Sequence, residues 1–170
     1  NRFLGVYDGN DYEISGFEIN RGESNYVGFW GIIGNGGFVK NLGLVIGADG
    51  IVGKFYVGGF VGSNHGGTIE NCYTNGKVSG YNSVGGFVGL NYEGTIENCY
   101  AEDVIVSGND RYIGGFVGIN WKNIRKSYAI GNVIVVNSEI SIGGFVGQSV
   151  DNATISDCYA KVEVSGNTAH

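Results

Sequence analysis

The residues able to do chemistry in this chain are few, and they fall into columns. Glu70 and Glu97 hold equivalent places in Ile69-Glu70-Asn71-Cys72-Tyr73 and Ile96-Glu97-Asn98-Cys99-Tyr100. Carboxylates converging on one face are what glycoside hydrolysis requires. Arg125 takes the same place in the next copy, so the simpler reading is a solvated charge ladder partly neutralised by arginine. Cys72, Cys99 and Cys158 form no C-x-x-C pair, and His65 and His170 stand apart, so no zinc site follows from spacing. The three Cys share one column with Ser127, a residue of similar size that cannot form a disulfide. Small buried thiols account for that column. A Cys72–Cys99 disulfide is the alternative: a rung spacing of ~4.8 Å suits the bond, whereas the parallel Cβ vectors of stacked strands do not. The expectation is three inward-facing, unbonded thiols. Tyr73, Tyr100, Tyr128 and Tyr159 form the neighbouring column and could stack on sugar rings or on one another. Asp8 and Asp11 lie in a turn that they would cap. The Gly-rich blocks are not phosphate loops, because no Lys-Ser/Thr follows and no helix opens. No catalytic, cofactor-binding or metal-binding residue is assigned.

What positions these columns is a repeat. Val84-Gly85-Gly86-Phe87-Val88-Gly89 has counterparts at Val57–Gly62, Ile113–Gly118 and Ile142–Gly147, spaced by 27, 29 and 29 residues. A fixed period of this size marks a stacked-repeat architecture. The repeat's runs, such as Val84–Val88, Thr95–Ala101 and Val104–Val106, are rich in Val, Ile, Phe and Tyr and too short for helices. Three short strands per period and no helix define an all-β parallel β-solenoid of about six coils, in which like residues form ladders along the axis. The chain reads as one domain over 1–170, with atypical coils over 1–56 and regular repeats over 57–165. Asp8-Gly9-Asn10 reads as a turn between two short strands, Phe3–Tyr7 and Tyr12–Ile19.

Alternation places Ile96, Cys99 and Ala101 inside and Glu97 and Tyr100 outside, with a corner at Asn98. Asn71 and Asn98 suit such corners, because Asn tolerates left-handed backbone and its amide can ladder between coils. Asn64, Asn91 and Asn120 form a second Asn column. Val78, Val106 and Val164 are expected inside. The Gly column Gly59, Gly86, Gly115 and Gly144 is expected where backbones pack closely or φ is positive. The Phe column Phe60, Phe87, Phe116 and Phe145 is open between an inward ladder and a surface stripe.

Composition supports a packed fold. Gly is 33 of 170 residues and Pro is absent, yet 42% of the chain is hydrophobic and 13% aromatic, which excludes a disordered Gly-rich segment. The net charge of −6 speaks against nucleic acid and anionic membranes. No apolar run approaches the ~20 residues of a membrane span. The chain contains no Met and no leader-like segment, which suggests a processed or excised piece.

The combination Gly-Gly-Phe-Val-Gly-x-Asn, Gly-Thr-Ile-Glu-Asn-Cys-Tyr and Val-Ser-Gly resembles the GLUG motif of secreted and cell-surface proteins of bacteria and archaea, including adhesin-like proteins and some immunoglobulin A peptidases. Phe3–Asn10 resembles the strand–turn–strand that often precedes these repeats. The match covers most of 57–165. Departures are Ser127 for Cys, Gln148-Ser149 for the x-Asn pair, and Trp121-Lys122-Asn123 in place of the Gly-Thr pair. The resemblance implies an extracellular solenoid whose motif carries no catalytic residue. The expected function is a non-enzymatic structural or adhesive module at the cell surface. Alternatives are a stalk within a larger adhesin or peptidase, or a glycan-binding or polysaccharide-acting β-helix. The expected partners are further copies, stacked end to end into a filament through open solenoid ends, and host or matrix glycans or proteins.

Overall fold

Short β-branched runs cut by Gly and Asn cannot pair with themselves, so they pair with the same run one period later. The computed structural model describes residues 1–136, 140–150 and 152–166. Among these there is no helix, and every strand-to-strand ladder is parallel. The first rung is β1 (Val6–Asn20). The next coil holds β2 (Trp30–Ile33) and β3 (Phe38–Val52), and the following one β4 (Phe55–Gly58), β5 (Val61–His65) and β6 (Thr68–Gly80). Then come β7 (Asn82–Gly85), β8 (Val88–Tyr92), β9 (Thr95–Glu97) and β10 (Tyr100–Gly108). Two equivalent coils follow: β11 (Arg111–Gly114), β12 (Val117–Asn120), β13 (Asn123–Arg125) and β14 (Tyr128–Val135), then β15 (Ile140–Gly143), β16 (Val146–Ser149), β17 (Thr154–Ser156) and β18 (Tyr159–Gly166).

These strands form three sheets that face a common core. One stacks β15-β11-β7-β4, one stacks β16-β12-β8-β5-β2, and the long one joins β1, β3 and β6 to the paired segments β9/β10, β13/β14 and β17/β18. The fold is the parallel β-solenoid expected, with six rungs in the long sheet and therefore about five full turns between them. Register is kept along the columns, apart from bulges such as the one between Ala101 and Val104: Val57, Val84, Ile113 and Ile142 lie on one line, and Tyr73, Tyr100, Tyr128 and Tyr159 on another.

The strand boundaries fall differently from the sequence runs. The Gly-Gly-Phe block is a corner between β7 and β8, not part of one strand. The chain bends at Gly86-Phe87, and so Val84, Phe87 and Val88 all point inward. Phe60, Phe87 and Phe116 are completely buried, which excludes a surface stripe. Their rings stack at 4.8 and 5.0 Å, and Phe145 continues the column at 5.0 Å. The Gly column beside them has ordinary negative φ. A Cβ on Gly59, Gly86 or Gly115 would run into the carbonyl oxygen of the next glycine in the column, so close backbone approach is the constraint. Likewise β1 is one bent strand, turned at Asn10 and Asp11, whose φ values are +50° and +60°, instead of two strands around a turn.

The core is a tube of Ile, Val, Leu and Phe running through the middle coils. Its last coil is only half covered. Val164, expected inside, is 48% exposed, as are Ile142 and Ile155 to a lesser degree, because no described coil lies beyond them. His170 and the other residues of 167–170 lie outside the described residues.

Candidate functional site

The corner that carries the Cys column shows how the repeat is built. Asn41, Asn71 and Asn98 sit there at φ +53°, +52° and +52°, and Lys126 and Asp157 continue the left-handed column at +50° and +55°. Left-handed backbone at one residue brings the next side chain close to the preceding carbonyl. The Cys72 thiol donates to the Glu70 carbonyl at 3.2 Å, Cys99 to Glu97 at 3.1 Å, Cys158 to Ser156 at 3.1 Å, and the Ser127 hydroxyl to Arg125 at 2.9 Å. Each donor closes the corner around its left-handed neighbour, which explains why Cys and Ser interchange. All three cysteines are free thiols; Cys72 and Cys99 are buried, whereas Cys158, in the last coil, is partly exposed. Burial pushes the Cys99 thiol well above its ordinary pKa.

The amides of this corner form a ladder. Asn98 Nδ2 donates to Asn71 Oδ1 at 2.6 Å, Asn71 to Asn41 at 3.1 Å, and Asn41 to Asp8 Oδ1 at 3.0 Å. Asp8 also accepts the Asn10 backbone N–H and pairs with Lys40 at 3.1 Å. These bonds, the Asn10 N–H foremost, hold its carboxyl down at about 2.

The Tyr column runs parallel to this ladder. Tyr73, Tyr100, Tyr128 and Tyr159 stack at 4.9, 4.8 and 5.0 Å with ring planes within 9° of parallel. Between the two ladders lies a groove of about 300 Å³ floored by Leu42 and Gly43. Carboxylates rim it. The Tyr73 hydroxyl donates to Glu13 at 2.6 Å, a bond that pushes its pKa up to about 12. Burial, reinforced by Glu102, does the same for Tyr128. The tyrosine faces lie against one another, so ring edges and hydroxyls, not ring faces, meet solvent in the middle of the column.

In the carboxylate column of Glu70 and Glu97, it is Glu97 that is tied within the stack. Arg125 reaches Glu97 at 2.6 Å and Lys126 lies 3.8 Å from the same carboxylate. Among the described residues no group of His, Cys, Asp and Glu is arranged to hold a metal ion.

Two features carry no simple signal in the sequence. The first is a second left-handed column, Tyr26, Tyr56, Ser83, Tyr112 and Ser141, directly before the Gly-Gly-Phe block. Tyr and Ser have no particular preference for that conformation, so only tertiary register imposes it. The second is an aromatic corner. The residues that follow the second Asn column are His65, Tyr92 and Trp121. Asn64, Asn91 and Asn120 are fully buried and bond to one another at 3.1 and 2.9 Å. Asn64 and Asn91 also bond three residues ahead, to the carbonyls of Gly67 and Gly94, each at 3.1 Å. Asn120 bonds only two residues ahead, to Lys122 at 2.8 Å, because this turn lacks the Gly-Thr pair. The ring column outside does not stack in parallel: His65 and Tyr92 are inclined by 49° at 5.3 Å, and Tyr92 and Trp121 by 60° at 5.6 Å. Aligning the copies on Asn64, Asn91 and Asn120 would have exposed this column.

The class defined by this geometry is a parallel β-solenoid repeat protein whose corners are closed by Asn, Cys and Gly-Gly-Phe. The family model for the GLUG motif matches residues 53–79, 80–107 and 138–165. The chain thus carries the GLUG motif in three of its repeats. It is 44% identical over 77 residues to "Putative Gly-rich membrane protein" of Evansella cellulosilytica, an alignment that covers 42% of this chain and 8% of that protein. It is 36% identical over 78 residues to "Halomucin" of Haloquadratum walsbyi, covering 46% of this chain and 1% of that protein. The chain therefore spans less than a tenth of the length of these curated relatives. No solved structure matches it.

Proposed function

We propose that the chain is a non-catalytic solenoid module of a secreted or cell-surface protein, with a structural or adhesive role. The observation that carries this reading is that the reactive columns are closed on themselves: thiols bond to corner carbonyls, amides to amides, tyrosines to tyrosines, and Glu97 to Arg125. Such ladders stiffen a stack and leave little for a reaction. The names of the membrane protein and the halomucin, each aligned over a small part of its length, support the surface location. Protease treatment of intact source cells tests it. An antibody to this chain should lose its signal before lysis; a signal protected until lysis would contradict the surface location.

A filament role is a second reading, favoured by the uncovered last coil. Ile142, Ile155 and Val164 present apolar side chains beside open strand edges, and a coil in the same register would cover them. That coil can come from continuing chain or from another copy through a heterologous contact. Sedimentation of the 170-residue chain separates these. Concentration-dependent growth supports copy-on-copy stacking, and a monomer at high concentration contradicts it.

A further inference from the structure

We infer that the Tyr92–Trp121 corner is a binding site for a neutral, linear glycan. This deepens the adhesive side of the surface reading and rests on it. The outward Tyr column is taken up by face-to-face stacking; this corner is not. Tyr92 and Trp121 are 37% and 47% exposed and meet edge to face at 60°, so the corner leaves ring surface to solvent. A pyranose ring matches such a corner, with an apolar C–H face for the rings and hydroxyls at its rim. Donors and acceptors for those hydroxyls follow directly in the chain, with exposed Glu93 after Tyr92 and exposed Lys122 after Trp121.

Three further observations favour this ligand. The repeat that contributes Trp121 is the one regular copy that the family model does not match, and its turn replaces the Gly-Thr pair with Trp121-Lys122-Asn123. The buried Asn ladder still reaches Asn120 at that shortened turn, so the change leaves the core and alters the surface. Secondly, the net charge of −6 and the carboxylates along neighbouring columns disfavour an anionic polymer. Thirdly, the ring column runs on from Tyr92 to the half-buried His65 and then Tyr26, with Gly, Asn, Glu and Lys beside it, a strip too narrow and too polar for the apolar centre of a protein interface.

Titration of the whole chain with neutral β-1,4-linked hexasaccharides of glucose and of N-acetylglucosamine tests the inference, read by calorimetry and by tryptophan fluorescence. At least one should bind saturably and perturb Trp121, since Trp30 packs among Phe3, Tyr7 and Phe29. Trp121→Ala and Tyr92→Ala should each weaken binding tenfold or more, and Tyr100→Phe should leave it unchanged, with all three melting as the parent does. No saturable binding to either sugar, equal affinity in Trp121→Ala, or capture of a peptide ligand alone at this corner would overturn the site. Those results would leave the surface reading standing, because cell-surface accessibility is measured separately.

Discussion

The Phe column and the Tyr column of the regular coils stack alike, at 4.8–5.0 Å and, apart from the 24° between Phe60 and Phe87, with nearly parallel planes, but one is sealed in the core and the other half faces water. Parallel in-register strands deliver like residues every ~4.8 Å whatever surrounds them, so the stacking itself is a product of register. What differs is the apolar area removed from water, and stability should follow that area. The aromatic corner at Tyr92 and Trp121 shows the converse. Where the residue type changes from coil to coil, as at His65, Tyr92 and Trp121, the rings do not stack in parallel, whether or not the turn changes length.

The largest effect should come from the glycines that let the Phe column close. Gly86→Val drives a side chain into the Gly115 carbonyl and backbone, where nothing flexible can yield. A loss of about 4 kcal/mol or outright misfolding is expected in urea unfolding; an unchanged midpoint would break the close-stacked geometry. Next, Phe87→Ala leaves a cavity between Phe60 and Phe116 and should cost about 3–4 kcal/mol. Tyr100→Ala, at the same stacking distance, should cost about 1–2 kcal/mol because less surface is buried and aromatic pairing adds only modestly. Equal losses would show that stacking, not burial, sets the energy.

The two Asn ladders repeat the comparison in polar form. Asn91→Ala removes an amide that bonds Gly94 and Asn120 and accepts from Asn64, all without solvent to replace it, and should cost about 2–3 kcal/mol. Asn98→Gly, on the exposed ladder, keeps the left-handed backbone easy and should cost under about 1 kcal/mol. The smallest effect concerns pH. Tyr73 has its folded pKa raised from 10.0 to about 12, first by its bond to Glu13. A group raised in the folded state contributes fully below its unfolded pKa and loses that contribution as pH rises toward the folded value. Stability should therefore fall between about pH 10 and 12, and Tyr73→Phe should flatten that part of the profile in thermal melts.

Much of this was legible in the residues. The period revealed the solenoid. Alternation set Ile96, Cys99 and Ala101 inward and Tyr100 outward, and the charge column foresaw the Glu97–Arg125 pair. The orientation of Phe87 was not legible, because alternation assumes an unbroken strand and the backbone turns at Gly86. The left-handed Tyr56 and Ser83 were invisible because those residue types have no marked preference for it. The donor role of Cys99 at its corner needed the φ of Asn98, which spacing alone does not supply. The inward expectation for Cys158 and Val164 held for the column but not for burial, since burial requires a coil on both sides.

Amide hydrogen exchange tests the central claim, an in-register stack closed around the Phe column, most directly. The Phe60, Phe87 and Phe116 amides donate to the carbonyls of Phe87, Phe116 and Phe145 at 2.9, 2.9 and 2.8 Å, and these bonds lie deep in the middle coils. The account predicts that these three amides exchange only through global unfolding, with one common free energy, while amides of the half-covered coil around Val164 exchange faster. Rapid exchange at Phe87, or protection no greater than at Val164, would contradict it.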